Sequence, residues 1–320
     1  MSVEDIHIPV MYEQLEDIQD DFDQVDVELM RVEYKLTRDL YAKREKVISQ
    51  IPNFWPLVWE QAPPDIDEHI QMEDAKLIAA SLKHMSVERF ELPDGDPRSF
   101  AIKFEFSENE YFEDKMIEKK FWYRHGKDDF TGLVSEPVEI KWKPGKDLTK
   151  GLLTLAKDLH EDDKAGKTGD TQNKIKLLKL KENATDDSNS FFNFFGFRGH
   201  YITEEESREV AKTVEEERKA RQEGKEVEVK MDKDADGDVD IENDDEDDDD
   251  YEYEYKYDVF PPGANVALAI AEDLWPEAIR YFQEGAELAA AESDDDGADD
   301  EGGEMDEDED GEKPSKKRKA

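Results

Sequence analysis

The sequence predicts an α+β protein in which one long N-terminal helix leads into a domain built on an antiparallel sheet of about four strands. Three observations predict it: an unbroken heptad stripe near the N-terminus, a stretch of period-two alternation in mid-chain, and acidic blocks that cannot fold and so delimit what does. Leu15, Ile18, Phe22, Val25, Leu29, Val32 and Leu36 step by three and four in strict alternation, and no Pro or Gly interrupts residues 10 to 51. At about 1.5 Å per residue, this allows a single helix of roughly 60 Å. A strict a/d seam is the narrow stripe of a helix that meets another helix, whereas a helix lying on its own core shows a broader one. The spacing therefore predicts dimerisation through these seven residues.

Pro52 and Pro56 stop the helix, and the aromatics of Ile51 to Trp59 are expected to anchor it to the domain. Residues 72 to 85 carry helical spacing at Leu77, Ile78, Ala80 and Leu82. Pro93 to Pro97 form a turn. Phe100, Ile102, Phe104 and Phe106 then alternate with Ala101, Lys103 and Glu105, the pattern of a half-buried strand. Met116 to Tyr123, Val138 to Trp142 and Val87 to Leu92 complete the expected sheet, with a polar loop around Gly126 and Gly132. Residues 151 to 187 read as a Lys-rich, mostly mobile excursion, helical near Leu152 to Leu159. Ser190 to Phe197 return to aromatic core. Residues 203 to 222 are charged all round, which gives a solvent-bridging helix or no stable structure. Ala271 to Ala291 predict a final helix.

The formal net charge is -44. Residues 292 to 312 hold fourteen acidic side chains and no basic one, and residues 232 to 254 hold fifteen against the lone Lys233. Such runs repel themselves and stay extended. They either keep the chain soluble or compete for basic partners, and composition leaves both open. With no cysteine, disulfides, thiolate catalysis and Cys-ligated zinc are excluded. No stretch of about eighteen apolar residues occurs, so no membrane span and an intracellular location are expected. Lys316, Lys317, Arg318 and Lys319 follow Pro314 as a basic cluster of the kind import receptors read, which predicts a nuclear protein.

The chemical motifs are weak. Six histidines, at 7, 69, 84, 125, 160 and 200, lack metal-ligand spacing; His84 and His125 can each meet a carboxylate in the fold, but carboxylates are too abundant here for that proximity to mark catalysis. Asp232, Asp234, Asp236, Gly237 and Asp238 imitate the start of an EF-hand loop, but its twelfth position is Asn243 and Glu242 falls one place early. Ala165 to Gly169, AGKTG, lack the leading glycine of a phosphate loop, whose place is taken by Glu161. No enzyme, cofactor or metal is expected. The acidic surface disfavours direct, sequence-specific nucleic-acid binding. The one exception is the Lys-rich stretch Lys174 to Lys181, which either contacts nucleic acid or pairs internally with the acidic tails.

Five segments in order carry a family resemblance: KREKVISQIPNFW (Lys43 to Trp55), FSENEYFEDK (Phe106 to Lys115), EIKWKPGKDLTK (Glu139 to Lys150), SFFNFF (Ser190 to Phe195) and EDLWPEAIRYF (Glu272 to Phe282). Together with the heptad helix they closely resemble the SET branch, also called template-activating factor, of the nucleosome assembly protein family of histone chaperones. The match covers about residues 12 to 150, 186 to 195 and 264 to 285. Pro144 departs from the small residue usual in its motif. The stretches 151–185 and 196–262 look longer than their animal counterparts, as in a fungal member.

The resemblance implies a homodimer joined by the long helices, each helix carrying an α/β "earmuff" domain that binds core histones on its acidic underside, with no catalysis. The implied organisation is a flexible N-terminus (1–11), a dimerisation helix (12–51) and an earmuff domain (52–291) with insertions at 151–187 and 196–262, of which 232–254 is acidic and disordered. An acidic tail with a basic end (292–320) follows. The expected histone contacts are Glu105, Glu108, Glu110, Glu113, Asp114, Glu118, Glu136, Glu139, Asp186 and Asp187, with diffuse help from Asp244 to Asp250 and Asp306 to Asp310. The branch also implies an alternative, a regulatory protein that inhibits a phosphatase or assists a histone acetyltransferase. Its expected location is the nucleus, with shuttling to the cytoplasm.

Overall fold

A computed structural model describes residues 12–128, 130–182, 190–222 and 256–295. The heptad segment is one helix, α1 (Tyr12–Ile48), ended by the Ser49–Pro52 turn before α2 (Phe54–Glu60). The short α3 (Pro64–Asp67) and α4 (Met72–Ser81) lead into a sheet of order β1-β2-β3-β4, antiparallel throughout. This is the expected α+β class.

Two sheet boundaries differ from expectation. The segment read as helix through Met85 ends at Ser81, and β1 is Leu82–Glu88 rather than Val87 to Leu92. Leu82, Met85 and Val87 suit either a helix or a strand; pairing with β2 (Phe100–Phe106), Met85 opposite Phe104 and Val87 opposite Ile102, decides for the strand. The fourth strand is Thr131–Ser135, within the stretch where the sequence predicts a loop. A tight turn, in which the Gly126 N–H donates to the Phe130 carbonyl at 2.8 Å, lays β4 against β3 (Met116–His125). Val138 to Trp142 is not a ladder strand: Pro137 precedes it, Val138 N–H donates to Phe195 O at 2.8 Å, and Trp142 makes only an isolated bridge to Phe112.

The inner face of β2 and β3 packs on a 3-10 turn, Phe191–Gly196, whose four phenylalanines are all buried. Phe195 meets Phe104 edge-on at 5.6 Å, Phe194 lies 5.6 Å from Phe121, and Trp59 meets Phe191 at 5.2 Å. Two buried polar groups fix this turn. Asp74, in the first turn of α4, accepts from Ser190 Oγ at 2.6 Å, Phe191 N–H at 2.7 Å and Gln71 N–H at 3.0 Å. Lys119, wholly buried on β3, donates from Nζ to the carbonyls of Glu136, Phe195 and Phe197 at 2.7, 3.1 and 2.6 Å. The three donors of an ammonium are thereby matched to three acceptors.

The expected excursion at 151–187 contains packed structure: α5 (Leu152–Lys164) buries Leu153, Leu155, Ala156 and Leu159, and α6 (Gln172–Glu182) buries Leu177. The charged segment 203–222 does form a helix, α7 (Glu204–Gln222), and it is not purely solvent-bridging. Its Ser207 is buried against β3, where the Oγ accepts from His125 N–H at 3.0 Å, and its Arg218 pairs with Asp21 of α1. The expected single helix from Ala271 is interrupted. After α8 (Gly263–Leu268), residues Ala269–Leu274 widen into a π-turn in which Trp275 N–H reaches Ile270 O at 3.0 Å. Pro276 then separates this from α9 (Ala278–Asp295). α9 lies on α2 at a close approach: a Cβ on Gly285 would stand 3.0 Å from the Leu57 carbonyl.

Candidate functional site

Two surfaces stand out, and α1 carries the first. Met30, Tyr34, Thr37, Tyr41 and Arg44 are half-buried, Ile48 is buried, and together they form the stripe that faces the helix's own domain. Tyr41 meets Trp275 in a tilted ring contact at 4.1 Å, and Arg44 donates to the carbonyls of Trp275 and Pro276 at 2.7 and 3.0 Å. With that face occupied, the heptad residues are left outside. Their exposure runs from 49% at Leu15 to 68% at Leu36. Leu40 and Val47, at 57% and 61%, prolong the stripe beyond the seven residues predicted; the continued steps of four and seven are the signal that would have found them. An exposed apolar flank of this length is the kind of surface that marks a protein–protein contact.

The second surface is acidic. All eight described candidates reach the surface, exposed except for half-buried Asp114 and Glu118, but pairing divides them. Glu110 lies 2.6 Å from Lys146, Glu139 2.7 Å from Lys157, Asp114 3.6 Å from Lys141, Glu118 3.8 Å from Lys103 and Glu136 3.9 Å from Lys164. The Lys157 hydrogen bond holds the Glu139 carboxyl below its ordinary pKa. Lys103 also meets Glu88 at 2.6 Å, and that bond raises the pKa of its ammonium. Glu88 was not among the expected residues; its place opposite Ala101, two residues from Lys103 and so on the same face of the sheet, is what brings it here. Glu105, Glu108 and Glu113 have no ion pair among the described residues. All three lie at the end of β2 or in the connection to β3, so they share one end of that hairpin. Asp186, Asp187, the EF-hand-like segment, the first acidic block, the second block beyond Asp295 and the basic cluster Lys316 to Lys319 lie outside the described residues; residues 292–295 continue α9.

Among the described residues no titratable groups gather as a reaction centre would. His84 Nδ1 lies 3.2 Å from a Glu45 oxygen with its ring edge-on to Trp55, whereas the His125 Nδ1 partner is the Thr131 hydroxyl at 3.1 Å. Burial, seconded by Arg98, lowers the His125 pKa. AGKTG is the turn between α5 and α6, its Lys167 held 2.6 Å from Asp162. Among the described residues no three metal-capable side chains converge. The cavity of about 420 Å³ beside Met30, Tyr123, Leu133 and Phe197 has apolar walls, and its Arg98 and Arg198 are engaged by Asp96 and Asp163. No described helix is long and apolar enough to cross a membrane.

Comparison with known proteins agrees with this architecture. Over 147 residues the chain is 32% identical to a putative nucleosome assembly protein of Schizosaccharomyces pombe, covering 43% of this chain and 59% of the relative. Over 133 residues it is 35% identical to Protein SET of Drosophila melanogaster, covering 40% and 47%. The chain thus spans about half the length of these relatives. A crystal structure of Vps75 shares the fold, with a TM-score of 0.51 at 19% identity over 86% of this chain and 98% of that one. The family model described as "Nucleosome assembly protein (NAP)" matches residues 10–285, nearly the whole folded part, and the chain belongs to that family.

Proposed function

We propose that this chain is a non-enzymatic histone chaperone that dimerises through α1 and shields core histones from indiscriminate contact with DNA. What carries the reading is the coexistence, in a nucleosome assembly protein family member, of a bare apolar seam and a hairpin end whose carboxylates are not neutralised. Two subunits present two hairpin ends and two sets of acidic segments to one basic partner, so avidity exceeds the affinity of either arm. Exposed charge contacts are individually weak, which suits capture followed by release.

Glu105, Glu108 and Glu113 are the proposed centre of the folded contact. Glu110, Asp114, Glu118, Glu136 and Glu139 are secondary, because a histone lysine or arginine must displace the lysine each already holds. The acidic blocks 232–254 and 292–312 add diffuse attraction, and Lys316 to Lys319 direct the chain to the nucleus.

Plasmid supercoiling with purified core histones tests the function: the full chain should deposit nucleosomes. Failure with histone binding intact would move the assignment to regulation of a phosphatase or an acetyltransferase. Glu105→Gln, Glu108→Gln and Glu113→Gln together should weaken histone binding more than Glu110→Gln with Glu139→Gln. Equal losses would remove the distinction drawn between the two sets.

A further inference from the structure

α6 is a basic helix on an acidic protein: Lys174, Lys176, Lys179 and Lys181 stand against the single Glu182. Leu177 is buried and Ile175 and Leu178 are half-buried, so one side of the helix belongs to the core. Lys176, Lys179 and Leu180 lie on the exposed side.

The chain immediately downstream of the first acidic block is fastened beside α6. Lys181 Nζ donates to the Lys256 carbonyl at 2.9 Å, Arg198 to the Tyr257 carbonyl at 2.9 Å, and the buried Tyr257 donates its hydroxyl to Asp170 at 3.0 Å. Lys174 Nζ lies 4.8 Å from the Tyr257 ring. Residues 246–255, which end at this anchor, read EDDDDYEYEY and carry seven carboxylates and three tyrosines. Fully extended, ten residues reach about 33 Å, whereas the eleven residues of α6 are only about 16 Å long.

We propose that residues 246–255 dock in cis along the exposed side of α6. Their carboxylates face Lys176 and Lys179, and their alternating tyrosines cover Leu180, which is 37% exposed. Charge complementarity, the fixed exit at Lys256 and the short reach all select this segment over a separate molecule. The tether gives the segment a high effective concentration at α6, so weak contacts suffice. This docking is independent of the histone reading, although a basic partner that recruits the segment must compete with α6 for it.

Limited chymotrypsin cleavage of the full chain after Tyr251 and Tyr253 tests the docking, because cleavage follows the undocked population. Lys176→Glu with Lys179→Glu, both on the surface, should speed cleavage about fivefold if two exposed charge contacts are lost. Raising salt should speed the native chain towards the same rate. Equal rates for native and variant chains would overturn the docking.

A second arm replaces residues 240–254 by an equal length of Gly and Ser and adds a labelled peptide of residues 240–255. The peptide should bind the replaced chain about tenfold more tightly than the native one, whose site is filled. Indistinguishable binding, or none to either, would refute occupancy in cis. A DNA duplex that binds the native chain through Lys176 and Lys179 would assign the face to nucleic acid instead and overturn the proposal.

Discussion

Arg44 of the long helix places its guanidinium 4.7 Å from the Trp275 ring and donates to the Trp275 carbonyl at 2.7 Å. This contact sets how α1 sits on the domain, and hence which flank is left over. Burial lowers the Arg44 pKa from its ordinary value, yet both carbonyls it reaches accept well, so the group acts as a charged pin. Arg44→Ala should cost about 2 to 3 kcal/mol of stability in urea denaturation. The mass in solution should not change, because Arg44 is off the exposed heptad stripe.

The seam has its own test. Phe22, Val25 and Leu29 are 64%, 55% and 59% exposed in one chain, and a partner helix would bury each of them. At about 1.5 to 3 kcal/mol per apolar side chain buried, losing three per protomer and placing charges in their stead outweighs what the rest of the stripe contributes. Replacing all three by Glu should give monomers with unchanged helix content. An unaltered mass by light scattering would rule the seam out.

Asp74 and Ser190 tie the start of α4 to the aromatic turn. Asp74→Ala leaves the Ser190 hydroxyl and two backbone N–H groups without their acceptor, a loss of about 3 kcal/mol or more. Asp74→Asn keeps one oxygen for the two N–H groups and should cost roughly 1 kcal/mol. Thermal melts that rank Asn below Ala would contradict the assigned bonds. Burial, only partly offset by these bonds, raises the Asp74 pKa, so ionisation opposes folding. Its contribution therefore falls as pH rises from the ordinary carboxyl value through the raised one.

Lys119 has the opposite dependence on pH. Burial pulls its ammonium well below the ordinary 10.5. Between the lowered value and 10.5 the unfolded chain holds a proton that the folded chain has released, so this term gains with pH across that window. The stability of the native chain relative to Lys119→Met should increase as pH rises towards the ordinary lysine value of 10.5 in denaturant titrations. A pH-independent difference would mean that Lys119 titrates alike in both states.

Strand β2 was legible because Phe100, Ile102, Phe104 and Phe106 alternate cleanly against a sheet with one core face. The boundary at Ser81 was not, since Leu82, Met85 and Val87 satisfy helix and strand periods alike. β4 leaves little trace in the sequence, because TGLVS is short and only its turn onto β3 makes it a strand. α6 read as polar excursion because one buried leucine, Leu177, is too little signal beside four lysines. The acidic candidates were legible as residue types, but Lys146 stands thirty-six residues from Glu110, and no local pattern announces that pair.

The sequence by itself determined the long helix, its a/d seam, the aromatic β2 strand and the excess of acid. These rest on local periodicity and on charge, which need no neighbour to be recognised. Tertiary structure alone decided that Tyr41, Arg44 and Ile48 face the domain and so leave Phe22 and Leu29 outside. It also decided which carboxylates are already neutralised. Both depend on distances between residues far apart in the chain, and only packing of the core fixes those distances.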